Sequence, residues 1–314
     1  MRGNLVTLGE AVGVVAATEP GPLAPGATMR MDFAGAEATV AIGVSRLGHD
    51  SAWVGTVGDD AVGRMVLDRL RAERVDVSRC RTDPELPSGL MLRERRTADR
   101  ICVTYYRRGL AGSRLSADDI DRAQIAAAQV LHLTGITPAL SASARDAVHT
   151  ALDCAVDSGV TVSLDINYRR ALWSPSEAAA ELAELLSRAD IVFAGPEEAA
   201  LLVSAASAAE MAEALAAQGP SQVVLKLGAE GALALHDGEL ITQPPIAVTS
   251  VDPVGAGDAF VAGYLAGVLD GRSVRHRLDL AATCGAFAVS VPGDWQGLPL
   301  RRELGLLTGA DINR

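Results

Sequence analysis

The residues best equipped for chemistry sit together in "DPVGAGD", positions 252–258. Gly255 and Gly257 let the backbone turn sharply and come close to a ligand. The run from Ala259 to Leu269 is apolar almost all round, which predicts a buried helix. The start of a buried helix carries orphan N–H groups. A nest of such groups, with the helix dipole behind it, suits an anion such as phosphate. Asp258 falls in the first helical turn, where its charge would repel a resting anion. It fits there as a base that takes the proton of a hydroxyl attacking phosphorus. An ordinary glycine turn, with Asp258 only stabilising the dipole, gives the same short pattern.

A second concentration of charge is "RERRTADRICVTYYRRG", residues 93–109. Against an acidic background it suggests a small anionic ligand, while a solvated hairpin is the plainer reading. The chain contains no GxxxxGK[ST] and no strand-GxGxxG-helix unit near its start, which disfavours a Walker-type phosphate loop and a dinucleotide fold. No HExxH or paired-His pattern supports a structural metal. Cys80, Cys102, Cys154 and Cys284 lie far apart with no CxxC, so each reads as a small buried hydrophobe in a reduced setting.

Positioning these groups requires a scaffold, and the chain alternates strand-like and helix-like segments. Strands are expected at 4–10, 51–58, 129–135, 160–167, 190–195, 222–228 and 246–251. Helices are expected at 36–48, 59–75, 141–157, 175–188 and near 196–218. This alternation implies βαβ units, a mainly parallel sheet and helices on both faces. Two regions break the rhythm. Residues 11–34 contain "EPGPLAPG", and residues 86–110 read as a hairpin turning near Ala98-Asp99. Together they predict a small β-layer over the main domain. Ligands of such sheets bind at the carboxyl ends of the strands. There the chain places "GIT", "NYRR", "GPEEA", "GAEG" and "DPVGAGD".

With 314 residues and 49% hydrophobic composition, one large domain with an appendage is expected. The 28 basic and 39 acidic residues leave a net charge of −11, a poor basis for binding nucleic acid. No apolar run reaches the roughly 18 residues of a membrane span, and the N-terminus reads as a strand rather than a signal peptide. A cytoplasmic protein is the expectation.

The motifs resemble those of the ribokinase (PfkB) carbohydrate kinases. "DPVGAGDAFVAG" is similar to that family's C-terminal signature. "FAGAEATVAIGVSRLGHDSAWVGTVGDDAVG", residues 33–63, is similar to its N-terminal one, and order and spacing agree over nearly the whole chain. Within the family, "GEAV…GPL", "VTYYRRGLAGSRLS", "HLTGITPALS", "LDINYRRALW" and "VKLGAEGA" resemble the 2-keto-3-deoxygluconate kinases. The resemblance implies a ribokinase-like three-layer αβα sandwich over 1–10, 35–85 and 113–314, with a β lid from 11–34 and 86–112. It implies a kinase that uses ATP and Mg²⁺ to phosphorylate a primary hydroxyl of a sugar acid, working as a homodimer or higher assembly.

Carried over by position, Asp258 is the catalytic base, and Gly255, Ala256 and Gly257 form the anion hole. Tyr105, Tyr106, Arg107, Asn167 and Arg169 hold the keto acid, and Gly35 and Ile136 contact the sugar. Thr39 and Met91 stand at sugar-facing positions where relatives carry Asn and often Tyr. Lys226, Gly228 and Gly231 lie on the nucleotide side. Glu198 organises Mg²⁺ through water, and Asp252 belongs to a loop that binds a monovalent cation, K⁺, in many relatives. Arginine recognises a carboxylate bidentately, and a neutral sugar does not need two. Further departures are Pro253 for the usual Thr, Gly195 for Asn or Ser, Ala34 for a glycine and Leu110 for serine. A fructokinase-like enzyme and a non-catalytic sugar-binding homologue are the alternatives, and a dehydrogenase is a remote third.

Overall fold

The structure is a computed structural model that describes residues 4–97 and 100–307. In chain order it begins with β1 (Asn4–Leu8), β2 (Val12–Ala17), β3 (Met29–Ala34), α1 (Ala36–Arg46), β4 (Asp50–Val54), β5 (Thr56–Gly58), α2 (Ala61–Ala72) and β6 (Arg81–Asp83). Next come β7 (Leu90–Thr97), β8 (Arg100–Tyr106), α3 (Arg122–Ala126), β9 (Val130–Thr134), α4 (Ala142–Ser158), β10 (Thr161–Asp165), α5 (Pro175–Leu186) and β11 (Ile191–Ala194). The chain continues through α6 (Pro196–Ala199), α7 (Ala208–Ala216), β12 (Gln222–Lys226), β13 (Ala232–His236), β14 (Glu239–Gln243), α8 (Ala256–Leu269) and α9 (Val274–Val289).

The main sheet runs β14-β13-β12-β11-β10-β9-β1-β4. Its strands from β12 to β4 are parallel, and β13 and β14 add antiparallel at one edge. Strands buried on both faces read as continuous apolar runs, and their alternate side chains enter two cores. Leu131, Leu133, Val192 and Val223 pack with α4, α5 and α7. Val130, Ile191, Phe193 and Val224 pack with α1, α8 and α9. The result is a three-layer αβα sandwich. Helix starts are marked by local side-chain caps. Ser141 accepts from Ala144 N–H, and Ser174 and Glu177 form a reciprocal capping box.

A second sheet, ordered β3-β2-β7-β8, stands beside the sandwich. Val12, Val14, Ala16, Ala34 and Met91 form its own apolar cluster. The turn expected near Ala98-Asp99 lies outside the described residues.

Some expectations fail for local reasons. Residues 246–251 are not a strand. Pro244 and Pro245 remove ladder donors at their start, and Ala247, Thr249 and Ser250 are exposed, so no face of the segment packs on a core. The loop "DPVGAGD" is therefore not the continuation of a sheet strand. The run 51–58 is two strands, since β4 joins the main sheet while β5 pairs with β6. The β13–β14 hairpin has no counterpart among the expected elements. Cys102 is exposed on β8 rather than buried.

Candidate active site

The carboxyl ends of β1, β9, β10, β11 and β12 point to one edge, and the start of α8 meets them there. Gly255 takes a left-handed conformation, φ 75°, as the N-cap of α8. A Cβ at this position would collide with the Asp294 backbone, so only glycine makes this turn. A Cβ on Gly257 would lie 3.7 Å from Lys226 Nζ, so the glycine keeps the space above the helix start next to a cation.

Asp258 stands in this first turn, half-buried. Its pKa is pushed up to about 7, first by burial and then by the Asp165 carboxylate, while Lys226 and Arg169 oppose the shift. Asn167 Nδ2 points at Asp258 Oδ1 from 3.4 Å. Asn167 adopts φ 38°, a left-handed conformation that asparagine tolerates better than most residues. It lies two residues past Asp165, the last residue of β10.

Lys226, the last residue of β12, donates to both Asp165 oxygens at 2.7 Å. Burial works against the Lys226 charge, but Asp165 and Glu198 outweigh it and its pKa is raised. Glu198, in α6, accepts from Gly195 N–H at 2.7 Å. Burial raises its pKa, and Asp165 adds to the rise. The exposed Arg169 guanidinium lowers the pKa of both Glu198 and Asp258, which places it in electrostatic reach of both. Among the described residues no three acidic, imidazole or thiol groups converge on a metal position. A Mg²⁺ ion at this edge would draw its ligands mainly from phosphate oxygens and water, and the Glu198 carboxylate has the charge to face such a water shell.

A second buried group lies at the end of β1 and the start of α1. Arg107 Nη2 pairs with Glu10 Oε2 at 2.6 Å, and its guanidinium lies 5.1 Å from the Tyr105 ring centre. Burial pushes Glu10 up to about 7 despite Arg107. Glu10 Oε1 and Arg107 Nε are both buried without a hydrogen-bond partner. Glu37 is buried and accepts from Thr134 Oγ1 at 2.6 Å and Thr137 Oγ1 at 2.7 Å. Its charge is felt by both Glu10 and Asp258, so the two groups face one continuous region. Ile136 N–H donates to Thr134 Oγ1, which sets that residue at the same edge. Thr39 is buried, and its hydroxyl has no hydrogen-bond partner.

The structure thus brings Asp258, Asn167, Arg169, Glu198 and Lys226 together, with Arg107, Ile136 and the Gly35 turn on the adjoining side. A Cβ on Gly35 would fall 2.6 Å from the Glu10 carbonyl oxygen. Tyr105 and Tyr106 are 44% and 58% exposed on the outermost strand of the small sheet. Met91 is enclosed in that sheet's apolar cluster. Gly228 and Gly231 take left-handed turns, φ 60° and 92°, beyond β12, and Gly228 faces open space. Asp252 lies on the far side of the nest, paired with Arg93.

Asp165, Glu10, Glu37, Arg93 and Asp294 were not among the expected site residues. The signal for Asp165 was present, since it closes the apolar strand "VTVSLD" at the ligand-bearing end. Glu10 and Glu37 each follow or begin an apolar segment, where a carboxylate has no structural reason to be buried. Arg93 and Asp294 are 201 positions apart, and only the fold pairs them.

Residues 2–301 match the sequence pattern described as pfkB family carbohydrate kinase. The chain is 37% identical over 308 residues to a 2-dehydro-3-deoxygluconokinase of Bacillus subtilis, covering 97% of this chain and 95% of that protein. It is 33% identical to a fructokinase of Klebsiella pneumoniae, covering 97% and 99%. The solved structure of a putative ribokinase II from E. coli in complex with ATP and Mg²⁺ superposes with a TM-score of 0.90 at 25% identity, covering 98% and 99%.

Proposed function

The chain belongs to the PfkB family of carbohydrate kinases, and we propose that its acceptor is a sugar acid, 2-keto-3-deoxygluconate or a close stereoisomer, phosphorylated on its 6-hydroxyl. The observation that carries the reading is Arg107. Its guanidinium is held by Glu10 on one edge, yet its Nε is buried without a hydrogen-bond partner. A substrate carboxylate supplies the acceptor that this N–H lacks. The 37% identity with the Bacillus enzyme supports the same acceptor.

In the reaction Asp258 receives the proton of the primary hydroxyl as its oxygen bonds to the γ-phosphorus of ATP. The bond from that phosphorus to the β–γ bridging oxygen breaks, and ADP leaves. A pKa of about 7 suits a base working near neutral pH. Asn167 orients the carboxylate toward the hydroxyl. Backbone N–H groups of Gly255, Ala256 and Gly257, with Lys226 beside them, stabilise charge on the moving phosphoryl group. Mg²⁺ bound with the nucleotide neutralises its phosphates, and Glu198 holds water toward it. Arg107 and Arg169 fix the acid end of the sugar, Ile136, Gly35, Thr39 and Met91 bound its other side, and Tyr105, whose ring lies beside Arg107, faces it from the small sheet, with Tyr106 on the opposite face of the strand. Gly228 and Gly231 shape the nucleotide side. Segments 11–34 and 86–112 act as the lid that excludes water.

β8 is an edge strand with exposed Val103 and Tyr106. A second copy covering this edge makes a homodimer, which light scattering tests. The free cysteines accord with a cytoplasmic location.

A neutral-sugar acceptor is the second reading, favoured by the Glu10 carboxylate, which already balances the Arg107 charge. A coupled ADP-release assay over sugar acids and neutral sugars separates the two. Turnover of 2-keto-3-deoxygluconate with kcat/KM well above that of fructose is expected. The reverse order overturns the sugar-acid reading.

A further inference from the structure

Arg93 extends from β7 of the small sheet into the main domain, and its side chain is only 7% exposed. Nη2 donates to Asp294 Oδ2 at 2.7 Å. Nη1 lies 3.6 Å from Asp252 Oδ2. Asp252 also accepts from Val254 N–H at 3.1 Å and Gly293 N–H at 3.2 Å. One cation therefore sits between two buried carboxylates, and those carboxylates belong to the two segments that frame the anion nest. Asp252 comes three residues before Gly255. Asp294 packs its backbone against Gly255 so closely that a side chain there is excluded.

The monovalent ion expected beside Asp252 does not fit this arrangement. Asp252 Oδ1 accepts one N–H, and Oδ2 accepts another and faces the Arg93 guanidinium. A K⁺ ion placed among them would stand against the fixed positive charge of Arg93, which no accessible pH removes.

We propose that Arg93 takes the structural place of a monovalent cation, so that this kinase needs no added K⁺ and its anion nest is positioned by a residue of the small sheet. Arg93 is a positioning residue, since it acts on Gly255 through Asp252 and Asp294. The same joint is reinforced by two neighbours. Gln296 Nε2 donates to Asp32 Oδ2 of β3, and Phe33 of β3 stacks on Trp295 at 5.4 Å. The small sheet and the nest are thereby one mechanical unit. The proposal rests on the kinase reaction but not on the identity of the sugar.

The test compares wild type, Arg93→Met and Arg93→Lys in choline, Na⁺ and K⁺ chlorides at one ionic strength, with Mg²⁺-ATP saturating. Wild type is expected to turn over equally in all three salts, with a melting temperature that K⁺ does not move. Arg93→Met is expected to lose on the order of 10- to 100-fold in kcat, the scale of a misplaced reacting group. Its KM for the sugar should change little. K⁺ or added guanidinium, but not choline, should restore part of that rate and raise its melting temperature. Arg93→Lys should keep most of the wild-type rate. Several-fold stimulation of wild type by K⁺, or a wild-type melting temperature raised by K⁺ over choline, overturns the proposal. So does an Arg93→Met variant that no cation rescues. If Arg93→Met does not fold, wild type and Arg93→Lys decide through the same melting measurement. Absence of turnover on sugar acids in every salt counts against the acceptor alone, because the melting arm needs no substrate.

Discussion

Lys226 places its ammonium 2.7 Å from each carboxylate oxygen of Asp165, at the ends of two strands separated by β11 in the sheet. The pair lies under the first turn of α8, where the two charges act on Asp258 in opposite directions. Asp165 raises its pKa and Lys226 lowers it. The proton affinity of the base is thus set by a balance that single substitutions tilt either way.

Lys226→Met should leave Asp165 and Asp258 facing each other with only Arg169 to offset their charge. The acidic limb of the kcat/KM profile should move to higher pH by about one unit. Asp165→Asn should move the same limb to lower pH. Profiles that shift in the same direction for both variants would falsify this electrostatic assignment. A buried carboxylate left unpaired costs about 3–5 kcal/mol, so the Lys226→Met/Asp165→Asn double variant should melt above Lys226→Met alone.

Asp258→Asn removes the base without changing the shape of the pocket. General-base loss on the order of 10²–10⁴ in kcat is expected, while calorimetric binding of the sugar stays within about threefold of wild type. Turnover near the wild-type rate rules out Asp258 as the base.

The Arg107–Glu10 pair separates a stability role from a binding role. Arg107→Ala leaves Glu10 buried and alone, and should cost about 3–5 kcal/mol in denaturant unfolding. It should also raise KM for a sugar acid on the order of tenfold, with little change for a neutral sugar. Adding Glu10→Gln should restore most of the stability and none of the KM. If the double variant recovers both, Arg107 serves the fold only.

Much of this arrangement is legible in the sequence, because the signals are local. The helix behind Asp258 announces itself by eleven apolar residues, and the parallel strands by their short apolar runs. Pro244-Pro245 was the local sign that "IAVTSV" would not enter a ladder, and the alternation of Ile246 and Val248 masked it. The β13–β14 hairpin turns on Asp237-Gly238, both left-handed, a signal that is plain once the segment is considered apart from the preceding strand. What the sequence does not carry is pairing across distance. Arg93 reads as one more charge in a basic hairpin, and nothing in its neighbourhood distinguishes it from Arg95 or Arg96. Its meaning comes from Asp252 and Asp294, which only the docking of the small sheet brings within reach. Glu10 and Arg107 are likewise 97 positions apart, and nothing in either neighbourhood marks them as partners.

The two carboxyls held near pH 7 give the folded protein a pH dependence opposite to that of its chemistry. Asp258 and Glu10 rise from 3.8 and 4.5 to about 7 on folding, in both cases mainly through burial. Between those values the folded state binds protons that the unfolded state has released. Stability must then fall as pH rises through that window. Activity needs Asp258 ionised and must climb over the same range. Wild type should therefore melt at a higher temperature at pH 5.5 than at pH 8, as far as these two groups decide it, while kcat/KM is larger at pH 8. Asp258→Asn isolates one group. Asparagine is neutral at every pH, so this variant should be more stable than wild type at pH 8. The difference should shrink steadily toward pH 5 and vanish near pH 4, where the unfolded Asp258 also holds its proton. A difference in melting temperature that stays constant from pH 5 to pH 8 would mean that Asp258 titrates near its ordinary value, and that burial does not prepare it as a base.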